Sequence, residues 1–237
     1  MNPTIASITA RGLIGRRRFL LLIPLPAILI GLAALARAVG GEPAAWIDPV
    51  MIGLGVAVVL PLISLVAGTS VLGLEIDDGT IAHVLTKPLP RSEIVLTKLA
   101  VACAVSVVVA GGSLLVAGTI AGGLRIGVAF GIGGAVAAVA YSALFGMLGL
   151  VSRRPVLIGL IYIVLWEGLL GNVLSGTGVL SSQKDAVTIA AELADGRLQS
   201  GSVSLPVALM MSVLGPVAAT ALAIHRLRSF SMAGETS

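Results

Sequence analysis

The sequence predicts an all-α integral membrane protein with six transmembrane helices, and three observations carry that reading. Hydrophobic residues make up 57% of the chain and charged residues 11%, with a mean hydropathy of +1.09, whereas about a quarter of residues in soluble domains are charged. The apolar runs continue for about 20 residues, the length a helix needs to cross hydrocarbon. A membrane β-barrel would instead alternate apolar and polar side chains over segments of about ten residues. Aromatic residues are only 3% of a chain that holds 30 glycines, a composition suited to helices whose backbones approach closely in lipid.

The elements follow in order along a single transmembrane domain, residues 1–237. Residues 1–18 carry Ile5, Ile8 and Leu13 near one helical face, with Arg11 and Arg16 elsewhere, the pattern of a helix lying on a membrane surface. Six uncharged runs come next: Phe19 to Ala36, Pro49 to Leu74, Leu99 to Leu124, Ile126 to Val151, Pro155 to Leu174 and Leu205 to Ile224. The first shares features with a signal peptide, since Arg16 to Arg18 precede it and Ala34-Leu35-Ala36 resembles a cleavage site. Its apolar run exceeds the roughly 7 to 15 residues of such a segment, and its leading region is overlong. Pro24, Pro26, Pro61 and Pro216 lie inside spans, where each frees a carbonyl and kinks its helix, either as a packing kink or as a gating hinge. Gly118 with Gly122 and Gly127 with Gly131 give small-xxx-small spacing and predict close packing.

Lysine and arginine in the connections set the orientation. Arg11 and Arg16 to Arg18 precede span one, Lys87, Arg91 and Lys98 separate spans two and three, Arg153 and Arg154 separate four and five, and Arg226 and Arg228 follow six. The other side holds Arg37, Arg125, Lys184 and Arg197. Both termini and the surface helix are therefore expected in the cytoplasm. The pI near 9.8 reads as topology and contact with anionic lipid, not as nucleic-acid binding. Between spans five and six, residues 175–204 form an outer connection in which Ser182 and Asp185 are placed to cap a short helix ending at Gly196. It reads as a lid or as a solvated connector.

Metal and redox chemistry find little support. Cys103 is the single cysteine, and His83 and His225 are the only histidines, so no cluster has the spacing of a metal site.

The stretch GLEIDDGTIAHVLTKPLPRSEIVLTK, from Gly73 to Lys98, interrupts the oil. Glu75, Asp77 and Asp78 precede Gly79-Thr80, and Ile81, Val84 and Leu85 then recur at helical spacing, sharing a face over one or two turns. Lys87-Pro88-Leu89-Pro90 must break that helix. Arg91-Ser92-Glu93 starts the next, with Ser92 placed as its N-cap and Glu93 in its first turn. A helix, a rigid corner and a second helix make a docking element, where a merely solvated loop would need no such order.

Glu75, Gly79-Thr80-Ile81, Val84-Leu85, Pro88, Pro90-Arg91, Ile94 and Lys98 resemble the ordered signature of the membrane subunit of type-2 ATP-binding-cassette transporters. The surface helix, the six spans and the position of the block between spans two and three are similar to that family too. Val84 stands where leucine is frequent, and Pro90 where a small residue often precedes the arginine. The resemblance implies that residues 75–98 form the coupling segment for a separate nucleotide-binding subunit. Glu75, Asp77, Asp78, Gly79, Thr80, Ile81, Val84, Leu85, Pro88, Arg91 and Lys98 would be the coupling residues. It also implies export, a second copy of this permease or a related one, short re-entrant helices on the outer side after span five, and a bacterial plasma membrane. A Walker A loop needs G-x-x-x-x-G-K-[ST], and none of Lys87, Lys98 or Lys184 has a preceding glycine or a following serine or threonine. ATP and Mg are accordingly expected on the partner ATPase, with no cofactor and no catalytic residue on this chain.

Glu167, beside Trp166, is the one acid within a span. Such a group is costly in hydrocarbon, by about 2.5 to 3.5 kcal/mol on insertion scales. It either lines a substrate pathway with Trp166 or sits near water because span five breaks at Gly168 or Gly171. A carrier working without ATP would keep more titratable groups in its spans, and an intramembrane hydrolase would need a base that no span supplies. A membrane anchor for a cytoplasmic partner would use the same polar block. The transported substrate is not legible.

Overall fold

Every element is helical among the residues that the computed structural model describes: 3–14, 22–40, 46–77, 91–170, 177–195, 198 and 203–229. Helix α1 is Pro3–Ile14 and α2 is Pro24–Ala38. A long helix, α3, joins a wide-turned stretch, Asp48–Val59, to an α-helical one, Leu60–Asp77. Helix α4 runs through Arg91–Ser106, Val107–Gly111 and Gly112–Gly122, and α5 is Leu124–Val151. Pro155–Ile161 and the wide-turned Tyr162–Leu170 form α6. A short turn, Thr177–Leu180, leads to α7, Ser182–Leu193, and α8 is Leu205–Ser229.

Four helices are long and apolar enough to cross a membrane, at Asp48–Val71, Ser92–Gly122, Leu124–Val151 and Leu205–Leu227, and two shorter apolar helices are Pro24–Ala38 and Pro155–Leu169. The third run begins earlier than hydropathy alone suggests, because the helix takes in Arg91, Glu93 and Lys98 before the uncharged residues start. Ser92 is consequently inside the first turn and is not its cap. Pro24 and Pro26 do not kink α2 from within. They lie in its first turn, where a missing N–H removes no helical bond. Pro61 falls where the wide turns of α3 give way to α-helix, and Pro216 stays inside a continuous α8.

Helix α5 is the axis of the fold, with α3, α4, α6, α7 and α8 packed around it. Its composition explains why: a run of glycine and alanine faces the neighbours while Phe130, Tyr141 and Phe145 fill the gaps completely. The reversal between α4 and α5 is a single residue, Gly123, at φ +89°, a conformation that glycine adopts without a Cβ penalty. Its N–H caps the Thr119 carbonyl at 3.0 Å. Just past the turn the helices nearly touch, since a Cβ on Gly127 would lie 2.6 Å from the Leu115 carbonyl oxygen. The expected close packing of Gly118 and Gly127 is therefore a contact between α4 and α5 themselves.

Two apolar clusters divide the bundle along its length. The larger joins α2, α3, α4, α5 and α7 through residues such as Leu29, Met51, Leu60, Leu114 and Phe130. The smaller lies at the opposite end, where Leu13, Val71, Val95, Leu99, Leu150 and Leu227 bring α1, α3, α4, α5 and α8 together.

Candidate functional site

The polar block falls at the end of the bundle that carries the smaller cluster. Glu75 and Asp77 belong to the last turn of α3 and Arg91 opens α4. Asp78, Gly79, Thr80, Ile81, Val84, Leu85 and Pro88 lie outside the described residues. Glu93 is half-buried in the first turn of α4. Lys98, one and a half turns further along α4, is only 3% exposed and lies beside the fully buried Thr97 and Leu99. The two helices that flank the block pack against each other, through Val71 on α3 and Val95 and Leu99 on α4.

A second constellation sits inside the bundle. Glu167 is 3% exposed and accepts three hydroxyl hydrogen bonds. Tyr141 of α5 donates to Oε1 at 2.7 Å, Tyr162 of α6 to the same oxygen at 3.5 Å, and Ser181, just before α7, to Oε2. Charge-assisted bonds of this kind are about twice as strong as neutral ones, which offsets the desolvation of the carboxylate. The wide turns of α6 are what allow it. An i→i+5 ladder puts Tyr162 and Glu167 on one side of the helix, whereas α-helical turns would swing them apart.

Ring stacking fixes the same corner. Tyr141 lies parallel to Phe145 at 5.7 Å between centroids, Phe145 meets Tyr162 edge-on at 6.1 Å, and Tyr162 stacks on Trp166 at 6.4 Å. The Trp166 indole N–H reaches the Leu180 carbonyl at 3.4 Å. The two residues expected to line a pathway are thus brought together, but Glu167 faces a closed knot of hydroxyls and is not close to water.

Helix α7 starts at this knot. Its cap is Ser181, one residue before the serine the sequence suggests, and the Ser181 hydroxyl accepts from the Lys184 N–H at 3.2 Å. The helix runs to Leu193, with Ala194 as its C-cap and Asp195 following at φ +56°; Gly196 lies outside the described residues. From Ser181 it climbs along α5, with Ala186 and Ala190 pressed on Gly133. At its far end Arg125 bonds Asp195 at 2.8 Å and reaches the Leu193 carbonyl at 3.5 Å. A twelve-residue helix is about 18 Å long, so α7 reaches from the turn at Gly123 into the interior of the bundle. It is neither a solvated connector nor a spanning helix.

Asp185 occupies the first turn of α7 and is 4% exposed. Its Oδ1 has no hydrogen-bond partner among the described residues, and neither has Thr188 Oγ1 one turn on. Burial, and then the charge of Glu167, push the Asp185 carboxyl up to about 7. Tyr141, Tyr162 and Ser181 were not singled out in the sequence, and Asp185 was read there only as part of a helix cap. The available signal was that the chain has only two tyrosines, one in the apolar run before that of Glu167 and one in the same run.

Among the described residues no group of three or more His, Cys, Asp or Glu side chains could hold a metal ion. No curated protein matches the chain. Residues 16–178 match the model of the ABC-2 family transporter proteins, which is more than half of the sequence. The chain belongs to the ABC-2 transporter family. Membership accounts for the apolar helices and supports the role of a multi-pass transport permease, a membrane subunit of an ABC transporter. The matched residues take in the polar block, Tyr141, Tyr162 and Glu167, and end before Ser181 and Asp185.

Proposed function

We propose that this ABC-2 permease is the membrane subunit of an ATP-driven exporter and that residues 75–98 dock it on a separate ATPase subunit. The observation that carries the proposal is the position of the ordered polar block. It joins α3 to α4, two helices packed side by side that lead from the block into the core. A displacement of the block would move both helices as one lever, a rigid-element transmission of the kind that drives two-state transporters. In this reading ATP and Mg bind the partner, and two permease subunits enclose the substrate route. The short helices α2 and α6 complete six spans, α1 lies on the cytoplasmic surface with both termini on that side, and the membrane is a bacterial plasma membrane.

Within the block, Ile81, Val84 and Leu85 supply most of the docking energy, since burying each such side chain contributes roughly 1.5 to 3 kcal/mol. Exposed ion pairs from Glu75, Asp77 and Asp78 contribute about 0 to 1 kcal/mol each. Arg91 and Pro88 hold the corner. Lys98, being buried, acts through the packing of α4 and not through surface contact with the ATPase.

The test is co-purification of the chain with its ABC ATPase, together with ATPase stimulation in vesicles, for wild type, Glu75→Ala and Leu85→Asp. Association and stimulation by the wild type, weakened in Glu75→Ala and lost in Leu85→Asp, support the reading. Failure of the wild type to bind an ATPase, or full stimulation by both variants, removes it.

A further inference from the structure

Glu167 and Asp185 are two buried carboxyl groups on different helices, 3% and 4% exposed. Among the described residues neither forms an ion pair, the Arg125–Asp195 bridge lying at the other end of α7. Both oxygens of Glu167 are already engaged by the hydroxyls of Tyr141, Tyr162 and Ser181, while Asp185 Oδ1 has no partner. A carboxyl group withdrawn from water without a hydrogen-bond partner holds a charge poorly, which favours its protonated form.

We propose that Glu167 and Asp185 together form a proton-binding site, with the proton carried by Asp185, and that this proton keeps α7 docked in the interior of the bundle. When the Asp185 O–H bond breaks and the proton leaves to water, a buried negative charge appears one turn along α7 from Ser181, the residue that bonds Glu167. The start of α7 is held there by the Ser181 hydroxyl on Glu167, by the Trp166 N–H on the Leu180 carbonyl and by the fit of Ala186 on Gly133, and a charge buried at Asp185 loosens that docking. The proposal does not depend on the ATPase partnership.

Among the described residues, few other titratable groups surround the pair. Tyr141 faces the pair from α5 and Tyr162 from α6. On α7 itself the Lys184 side chain runs toward Gly178, and Glu192 lies near the far end. The first part of α8, Leu205 to Gly215, has no titratable residue, and the wide-turned part of α3 has only Asp48, at its first position.

The sign follows from the raised carboxyl. Stabilisation by the protonated form is fully present below the ordinary aspartate value of 3.8 and is lost as pH rises through about 7. The experiment is the apparent Tm of the full chain in detergent between about pH 5 and 9 at fixed ionic strength. In parallel, maleimide labelling of Ala186→Cys in a Cys103→Ser background reads the docking of α7 directly. Wild type is expected to lose Tm and gain labelling as pH rises. Asp185→Asn is expected to hold the acid-side Tm and low labelling throughout, and Glu167→Gln to keep the transition but move it to lower pH. A wild-type Tm independent of pH, or an Asp185→Asn profile identical to wild type, overturns the proposal. So does a Tm at constant pH that rises with sodium, because a metal cation would then be neutralising the pair.

Discussion

The Tyr141 hydroxyl of α5 donates a 2.7 Å hydrogen bond to the Glu167 carboxylate of α6, with both residues withdrawn from solvent. This bond ties the central helix α5 to the short apolar helix α6. Tyr141→Phe keeps the ring stacked on Phe145 and deletes only the donor, so its effect isolates the hydrogen bond. A bond to a charged group contributes about 1.5 to 3 kcal/mol, and unfolding in detergent is expected to show a loss of that size. In a double-mutant cycle with Glu167→Gln, the coupling between the two sites should be non-zero. Additive losses would mean that the bond contributes nothing.

Gly133 and Gly53 offer a matched pair of tests. A Cβ on Gly133 would fall on the Ala186 carbonyl oxygen, whereas one on Gly53 meets nothing within 4 Å. Gly133→Val should force α7 away from α5 and destabilise the chain by about 1 to 3 kcal/mol, the usual range for overpacking. Gly53→Ala should be neutral or slightly stabilising, since it restricts the unfolded chain. Thermal unfolding of the two variants side by side decides the matter, and equal losses would contradict the close approach.

Much of the frame was legible because lipid enforces it. The runs 49–74, 126–151 and 205–224 appear as the helices Asp48–Asp77, Leu124–Val151 and Leu205–Ser229, since unbroken apolar sequence has few other ways to satisfy its backbone. The interior knot was not legible, for two physical reasons. Tyr162 and Glu167 share a side only on wide turns, which a 3.6-residue period does not reveal. Ser181 and Asp185 lie in a stretch polar enough to read as a connector, yet the small residues Ala186 and Ala190 let it sink against Gly133. Glu167 itself was found from sequence because an acid in an apolar run stands out. Its partners look ordinary until the helices are placed.

The exposed ion pair between Arg125 and Asp195 should matter little. Arg125 and Asp195 are 2.8 Å apart but mostly exposed, at 52% and 72%, and such pairs contribute about 0 to 1 kcal/mol and are screened by salt. Asp195→Asn tolerates the left-handed backbone at φ +56° while removing the charge. It is expected to cost less than about 1 kcal/mol at low salt and nothing measurable at high salt. A loss that persists in high salt would indicate that Arg125 anchors the end of α7 more firmly than an exposed pair can.

Leu99 tests whether α3 and α4 move as a lever. It is 4% exposed in the smaller cluster, against Val71 of α3 and Leu150 of α5, close to the polar block but not part of it. Leu99→Ala opens a cavity between the two helices and is expected to destabilise the chain by about 2 to 5 kcal/mol. Leu29→Ala, in the larger cluster, should have a similar cost and serves as the control. If the block transmits motion through the packed pair, Leu99→Ala should still co-purify with the ATPase, because the docking residues are intact, but stimulate it less than Leu29→Ala does at equal folded fraction. Equal stimulation by the two variants would show that general stability, and not the seam between α3 and α4, sets the coupling.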